Sequence, residues 1–198
     1  MSYTIFFDLE TAGLLPTHPS IQLAAIAVRD EDWSEVAKFE QKLSFNEAQA
    51  DPEALKLNHY TRESWSSAIP FAGAVIRFAG WSEPYRSVQM TSKAGKPYNV
   101  AKLAGHNALT FDLPRLRAMF GANFFPFVYH VKDTLQRALW YFDENPQVKR
   151  PESLKLTVLC AHFGIATDGA HDALTDVRLA AALARAIQQA ERNGSGKL

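Results

Sequence analysis

TIFFDLE, residues 4–10, is an apolar run rich in residues that favour β-strands, and it carries two acids. Residues two apart in a strand share a face, so Asp8 and Glu10 are predicted to point to one side and Phe7 to the other. Two neighbouring carboxylates repel each other and lower stability unless a cation lies between them. Because carboxylate oxygens suit Mg²⁺ or Mn²⁺, this stretch predicts a buried strand that carries a metal site.

The acid spacing alone is a weak signal. It recurs at Asp51 and Glu53, where a helix N-cap and a first-turn acid explain it, with Pro52 at the first helical position. Asp8 differs because it lies in a run that otherwise predicts a buried strand, where an acid is unexpected.

The composition predicts one soluble globular domain. Of 198 residues, 47% are hydrophobic and 21% are charged, which suffices for one ordinary core. We expect a single domain over residues 1–192 and a flexible tail over 193–198. No run of about 18 apolar residues predicts a membrane span, and the N-terminus does not resemble a secretory signal. The single cysteine, Cys160, excludes an internal disulfide, fits a reducing, cytoplasmic compartment and is expected to pack in the core.

The formal charge is balanced, with 21 Lys and Arg against 21 Asp and Glu. A protein that coats DNA normally carries a basic excess, so that class is disfavoured, whereas an enzyme that grips only a strand end is not excluded. One segment, residues 83–102, is basic and contains two tyrosines. Its basic residues are Arg86, Lys93, Lys96 and Lys102. This segment predicts either a guide for a single strand or a solvated loop.

The order of the predicted elements indicates an α/β fold. Three strands with short connections are predicted at residues 3–9, 21–29 and 35–45, which suits an antiparallel meander. Further strands are predicted at residues 101–107 and 128–134. Helices are predicted at residues 51–58, 71–82, 134–142, 152–163 and 172–191, with another beginning near Asp112, and residues 83–100 predict a loop or hairpin. We expect a mixed sheet, an antiparallel three-strand meander followed by parallel strands, with helices on both faces.

A second acidic stretch is GHNALTFD, residues 105–112. Asp112 precedes Leu113-Pro114 and therefore fits an N-cap, but a carboxylate that follows a strand also projects into the crevice where mixed sheets bind ligands. Both interpretations stay open. Asn107 could hold a loop or a substrate group, and His106 fits a structural role better.

A third acidic stretch is HDALTD, residues 171–176, at the start of a long alanine- and leucine-rich run. Asp172 fits the N-cap of a helix that begins there. Asp176 then falls on the packed face of that helix, where an acid is unusual unless it meets a charge. His171 lies on the loop before the helix.

Together, DLET, GHNALTFD and HDALTD resemble the three motifs of the DnaQ-like, DEDDh family of 3′–5′ exonucleases. The resemblance covers roughly residues 4–187, and it implies a ribonuclease H-like fold. It implies four metal-binding carboxylates, Asp8, Glu10, Asp112 and Asp176. These carboxylates would hold two divalent ions, Mg²⁺ or Mn²⁺, whose charge of about +4 balances theirs. His171, five positions before the last aspartate, takes the place of the general base.

The substrate-binding residues are less sharply indicated. Thr11 matches the motif position near the terminal 3′-hydroxyl, and Asn107 lies in the second motif. Leu14 and Phe111 flank the motifs and could stack on or wedge against terminal bases, although core packing explains Phe111 equally well.

The leading interpretation is a metal-dependent 3′–5′ exonuclease that acts on single-stranded DNA, releases nucleoside monophosphates by a two-metal mechanism and serves DNA repair. The first alternative is a 3′–5′ exoribonuclease of the oligoribonuclease or RNase T type. The second is a non-catalytic module that binds nucleic acid or a polymerase, and the intact set of motif residues argues against it. A ribonuclease H-type endonuclease fits the motif spacing less well. No membrane partner is expected, while a polymerase or a second copy of the chain stays open.

Overall fold

The computed structural model describes residues 1–168 and 172–195 of the chain. The strands in this part are β1 (Tyr3–Thr11), β2 (Ser20–Arg29), β3 (Glu35–Lys42), β4 (Val88–Thr91), β5 (Pro97–Val100), β6 (Lys102–Gly105) and β7 (Lys132–Asp133). The α-helices are α1 (Pro52–Leu57), α2 (Phe71–Ser82), α3 (Asp112–Phe120), α4 (Thr134–Glu144), α5 (Leu156–His162) and α6 (Ala173–Ser195). Single 3₁₀ turns lie at Glu47–Gln49 and Glu83–Tyr85.

Five strands form one mixed sheet in the order β3-β2-β1-β6-β7. The pairs β1–β2 and β2–β3 are antiparallel, whereas β6 is parallel to β1 and β7 is parallel to β6. The predicted mixed sheet, with an antiparallel meander followed by parallel strands, is therefore confirmed.

β1 is the central strand, and its two faces belong to two separate cores. On one face Phe7 packs with residues of α2 and α3. On the other face Phe6 packs with residues of α6, which also contacts α4 and α5. The predicted helices on both faces are thus confirmed. Because Asp8 and Glu10 share the face of Phe6, they point toward the α6 side of the sheet.

The pairing between β1 and β6 stops well before β1 ends. β6 pairs only with residues 4–6 of β1, which continues to Thr11. Gly105 ends β6 at a close approach, since a Cβ there would lie 2.9 Å from the Phe7 carbonyl oxygen and 2.7 Å from Ala108 Cβ. Beyond this point no strand in the described part of the chain pairs with the last residues of β1 on the β6 side, so their backbone groups can meet side chains.

Residues 83–100 were predicted as a loop or a hairpin, and residues 88–100 form the hairpin of the two-stranded sheet β4–β5, after the 3₁₀ turn at Glu83–Tyr85. Its turn is closed by a hydrogen bond from the Ser92 N–H to the Lys96 carbonyl oxygen (2.9 Å). Gly95 occupies this turn at a φ of 75°, in the left-handed region that glycine enters without a steric penalty.

The last predicted strand is much shorter than expected: β7 has two residues, whereas a strand was predicted over residues 128–134. Val128 pairs separately, donating its N–H to the Ala101 carbonyl oxygen (2.9 Å). Arg117 then donates to the Tyr129 carbonyl oxygen (2.6 Å), so that this oxygen is bonded to a side chain outside the sheet.

Two predicted helix caps are confirmed. Asp51 accepts a hydrogen bond from the Glu53 N–H (2.9 Å), and Asp172 accepts one from the Thr175 N–H (3.1 Å). α6 runs to Ser195, four residues further than predicted and into the segment 193–198 that was predicted as a tail. Residues 196–198 lie outside the described part of the chain.

Cys160 is fully buried, as predicted, and burial raises the pKa of its thiol to about 11, which keeps the thiol protonated and unreactive. Among the residues that the structure describes, no helix is both long and apolar enough to cross a bilayer.

The aromatic cluster around α2 provides a test of the fold. Phe78 is fully buried and stacks with Trp81 and Phe127. We expect Phe78→Ala to lower the free energy of unfolding by about 3–5 kcal/mol, because it deletes a large buried ring and leaves a cavity. Ile76→Ala, on the exposed side of the same helix, should change it by less than about 1 kcal/mol. Urea unfolding measures both, and similar losses would contradict the assignment of the core face.

Candidate active site

The four predicted metal-binding carboxylates line one cavity of about 770 Å³. It opens beside the end of β1 and the end of β6, the position where mixed sheets place their ligand crevice. Its lining includes every predicted site residue that the structure describes: Asp8, Glu10, Thr11, Leu14, Asn107, Phe111, Asp112 and Asp176. His171, the predicted general base, lies outside the described residues.

Asp112 is held in the cavity by the end of β1, at the part of the strand that β6 does not cover. It is the first residue of α3, is only 3% exposed, and accepts a hydrogen bond from the Leu9 N–H (3.2 Å) in the part of β1 that β6 does not cover. The N-cap prediction for Asp112 is therefore wrong, since Phe111 occupies the cap position without a side-chain bond. The carboxylate is bonded to the central strand instead of to its own helix.

Asp133 supports the site although no sequence pattern predicted this role. It caps α4 by accepting from the Leu135 N–H (2.9 Å). It also accepts from the Asn107 N–H (3.0 Å) and the Leu109 N–H (2.9 Å), which ties the loop after β6 to α4. An aspartate directly before a predicted helix was the available signal, but the pattern did not reveal its bonds to a loop 24 to 26 residues earlier.

Asn107 adopts a left-handed backbone conformation, with a φ of 55°, at the start of this anchored loop. Its side-chain oxygen accepts from the Thr110 hydroxyl (2.7 Å), so of the two predicted roles the loop-holding one is present. Asn107 also lines the cavity and remains a substrate-binding prediction.

His106 has the structural role predicted for it. Nδ1 lies 2.9 Å from the Thr134 hydroxyl and Nε2 lies 3.1 Å from the Leu154 carbonyl oxygen. Because a carbonyl can only accept, Nε2 carries the proton and Nδ1 accepts from the hydroxyl. Burial lowers the pKa of His106, which favours this neutral form. α5 begins at Leu156 and not at 152 as predicted, after Lys155 in an extended conformation with a ψ of 148°.

The carboxylates interact strongly with one another. Burial, followed by the charges of Asp112, Glu10 and Asp176, raises the pKa of Asp8 well above its usual value. Burial, followed by Asp176 and Asp172, raises the pKa of Glu10 to about 7. Acids separated by up to 168 positions in the sequence thus share one electrostatic environment.

Burial also raises the pKa of Asp112 to about 7, against the opposing effects of the Leu9 N–H and Arg115. The effect of Arg115 is too small to compensate the burial of this carboxylate. Buried carboxylates with raised pKa values therefore face one cavity, and a divalent cation would favour their charged forms.

The donor set fits Mg²⁺ or Mn²⁺, because it consists of hard carboxylate oxygens without thiolates. Within residues 1–168 and 172–195, no three acidic, His or Cys side chains already stand in a ligating arrangement.

The mouth of the cavity is built by two segments that Arg115 connects. Leu14, 83% exposed, follows a turn in which the Thr11 hydroxyl donates to the Gly13 carbonyl oxygen (2.9 Å). Arg115 donates to the Leu14 carbonyl oxygen (3.3 Å), and its guanidinium carbon lies 3.8 Å from the centroid of the Phe111 ring. No sequence pattern indicated this role of Arg115, whose bonding partner is about 100 residues away.

Residues 83–102 do not line this cavity. Arg86 donates to the Ala79 carbonyl oxygen (2.6 Å), and Lys102 forms an ion pair with Asp30. Two of the four basic residues suggested as a strand guide therefore have intramolecular partners. The pair Asp51 and Glu53, explained in the sequence by capping alone, does line the cavity.

No protein-family model and no curated protein sequence matches the chain. Solved structures of exonuclease I do. The Escherichia coli enzyme in complex with a dT13 oligonucleotide has a TM-score of 0.71 at 23% identity, covering 95% of this chain and 41% of that chain. A zinc-bound exonuclease I–single-stranded DNA complex has a TM-score of 0.73 at 23% identity, covering 96% and 41%. A product-bound exonuclease I has a TM-score of 0.72 at 22% identity, covering 95% and 43%.

This likeness shows the fold: the chain has the ribonuclease H-like α/β fold of exonuclease I, as the resemblance of the motifs predicted. The chain spans about two-fifths of the length of these proteins.

Divalent ions should stabilise the protein. At an ion concentration about 100 times the dissociation constant, binding to the folded state adds roughly 2.7 kcal/mol, so the unfolding midpoint should rise when Mn²⁺ or Mg²⁺ replaces EDTA. The variant Asp8→Asn/Glu10→Gln should lose this shift, whereas Asp143→Asn/Glu144→Gln, at an exposed end of α4, should keep it. Differential scanning fluorimetry measures the shift, and an equal rise in both variants would count against the site.

The metal-free protein should lose stability between about pH 4.5 and pH 7. The pKa of Glu10 is about 7 in the folded state and near 4.5 unfolded, so its contribution is present below pH 4.5 and is lost as the pH rises through 7. At pH 8 in EDTA, Asp8→Asn/Glu10→Gln should therefore unfold at a higher temperature than the unmodified chain. A lower midpoint for the variant would show that these carboxylates are not destabilising.

Loss of the Asp133 carboxylate should weaken the loop after β6. Asp133→Asn keeps the shape but removes a charged acceptor of four backbone N–H groups, so we expect a loss of about 1–3 kcal/mol in urea unfolding. Asp143→Asn, exposed on the same helix, should cost less than about 0.5 kcal/mol. A negligible loss for Asp133→Asn would mean that the loop does not depend on this anchor.

Proposed function

We propose that the chain is a metal-dependent 3′–5′ exonuclease that removes nucleoside monophosphates from the 3′ end of single-stranded DNA. The observation that carries this proposal is the convergence of Asp8, Glu10, Asp112 and Asp176 on one cavity. A protein that only binds nucleic acid has no need to bury carboxylates that repel one another and its ligand.

The similarity to exonuclease I supports single-stranded DNA as the substrate class. The solved exonuclease I structures with this fold include complexes with dT13 and dA16 oligonucleotides and a zinc-bound complex with single-stranded DNA. These properties are those of exonuclease I, and we extend them to this chain because its motif carboxylates lie at the ligand crevice of the same fold.

Asp8, Glu10, Asp112 and Asp176 would hold the divalent ions, with two Mg²⁺ or Mn²⁺ as the expected complement. When bound, such ions neutralise phosphate charge and promote formation of the attacking hydroxide. Strand pairing with β2 fixes the backbone of Asp8 and Glu10, and the bond from the Leu9 N–H positions the Asp112 carboxylate.

His171 is assigned as the general base from its place in the motif, five residues before Asp176. In this role its imidazole accepts the proton of the attacking water, a task suited to histidine near neutral pH. The capping bond of Asp172 fixes where α6 begins and thereby places Asp176 in the first turn.

The end of the strand would enter between the loop of Leu14 and the start of α3. Leu14 and Phe111 present apolar surface at the mouth, and Arg115 holds both segments in register. We assign stacking or wedging of the terminal bases to Leu14 and Phe111, and binding of the terminal sugar to Thr11 and Asn107.

The proposal is tested with 5′-labelled single-stranded DNA and RNA of the same sequence, in Mg²⁺, in Mn²⁺ and in EDTA. We expect labelled products that become progressively shorter from the 3′ end, that form only when Mg²⁺ or Mn²⁺ is present, and that form faster from DNA than from RNA. His171→Ala should reduce the rate by about 10²-fold or more, whereas His162→Gln, at the exposed end of α5, should not.

Other outcomes of this experiment identify other functions. Faster degradation of RNA would replace DNA by RNA as the substrate. Internal cuts would indicate an endonuclease, and binding without products in either metal would indicate a non-catalytic module. Either of the last two results would overturn the proposed activity.

A further inference from the structure

The charges of the chain are strongly segregated. Residues 84–132 contain seven Lys and Arg but a single acid, Asp112, in a chain whose formal net charge is +0. The rest of the chain therefore carries the excess of acids. Because Asp112 is buried in the cavity, the exposed part of this segment is free of carboxylates.

The middle of this segment folds into one surface. The β4–β5 hairpin lies against the end of α3 and the loop 121–131, which Ala101 anchors by donating to the Pro126 carbonyl oxygen (2.9 Å). A concavity of about 450 Å³ lies between them. We call this region the aromatic surface and define it by Met90, Tyr98, Arg117, Phe124 and Tyr129.

The aromatic surface exposes rings that a folded chain normally buries. Tyr129 is 66% exposed and Phe124 is 59% exposed. Tyr98, from the hairpin, meets Phe124 edge to face with the ring centroids 5.6 Å apart. Clustered exposed apolar side chains of this kind mark interaction sites more often than isolated ones do.

Cations accompany these rings. The guanidinium carbon of Arg117 lies 4.8 Å from the centroid of the Tyr129 ring. Lys93 and Lys96 are exposed in the hairpin turn. In the part of the chain that the structure describes, the five ion pairs involve none of these three cations. The surface is therefore positive as well as aromatic.

We propose that the aromatic surface binds single-stranded nucleic acid outside the catalytic cavity, with bases stacked on Phe124 and Tyr129 and phosphates near Lys93 and Lys96. Exposed rings beside cations are the combination that binds single strands without reading their sequence. An apolar protein partner would account for the rings but not for the absence of acids, which suits a polyanion. This inference deepens the proposed exonuclease function and rests on it for the choice of ligand.

α3 connects the two sites. It begins with Asp112 in the catalytic cavity and ends with Phe120 at the aromatic surface. Its nine residues span about 14 Å at 1.5 Å per residue. A strand whose 3′ end occupies the cavity reaches the aromatic surface within a few nucleotides, so the surface acts on long substrates and not on very short ones.

Binding to a fluorescein-labelled oligothymidylate of about 12 nucleotides, measured by anisotropy in EDTA, tests the stacking role. Phe124→Ala/Tyr129→Ala should weaken binding about tenfold or more. Trp140→Ala, an equally exposed aromatic on α4 across the sheet, should leave it unchanged. Thermal unfolding of each variant shows whether it is folded, and single substitutions replace the double one if it is not. Unchanged affinity in folded variants would overturn the proposal.

The salt dependence tests the phosphate role independently. For single strands the logarithm of the affinity falls against the logarithm of the salt concentration by about 0.7 per phosphate contact. Lys93→Gln/Lys96→Gln should therefore reduce this slope by about 1.4, whereas Lys149→Gln/Arg150→Gln, an exposed pair before α5, should not reduce it. Equal slopes for all proteins would exclude phosphate contacts at the hairpin.

Hydrolysis separates this inference from the proposed function. With Mg²⁺, Phe124→Ala/Tyr129→Ala should raise the KM for the long strand and leave the rate on a dinucleotide unchanged. Normal degradation of the long strand by the variant would reject the surface while supporting the exonuclease. If the chain degrades neither substrate but the variants still bind the oligothymidylate more weakly, the surface stands and the exonuclease is rejected.

Discussion

The mismatch in length between β1 and β6 is the constraint on which the candidate site depends. β6 stops at Gly105, so the end of β1 keeps a free edge, and the Leu9 N–H on that edge receives Asp112 from a helix that begins 103 residues later. A longer β6 would occupy this edge and exclude the carboxylate. The crevice therefore exists because one parallel pairing ends early, and the acids of β1 and α3 meet there.

This arrangement requires external support, since carboxylates that share a cavity repel one another. Asp133 and His106 provide this support at the loop after β6. Asp133 accepts from two backbone N–H groups of the loop, and His106 bonds the Thr134 hydroxyl. Arg115 supports the mouth of the cavity by donating to the Leu14 carbonyl oxygen. The site is thus held by residues that do not belong to its own donor set.

Local pattern was sufficient to predict the sheet and most of the cavity. Because side chains alternate between the two faces of a strand, residues 4–10 predicted that Asp8 and Glu10 share a face. Asp172, as a preferred N-cap residue, predicted where α6 begins. The wrong predictions concern contacts between residues far apart in the sequence. Asp112 fits a helix cap by its neighbours alone, and only its contact with Leu9 shows another role. Asp133 and Arg115 act on segments far away in the sequence, so the residues next to them carried no signal of those partners.

The basic segment 84–132 also makes the charge distribution of this electrically neutral chain uneven. A molecule without net charge feels little net force from a distant polyanion, but the field near the polyanion turns its basic side inward. Dissolved ions shorten the range of that torque to about 8 Å at physiological ionic strength. The basic segment therefore orients the encounter only at close range, once diffusion has already brought the two partners together.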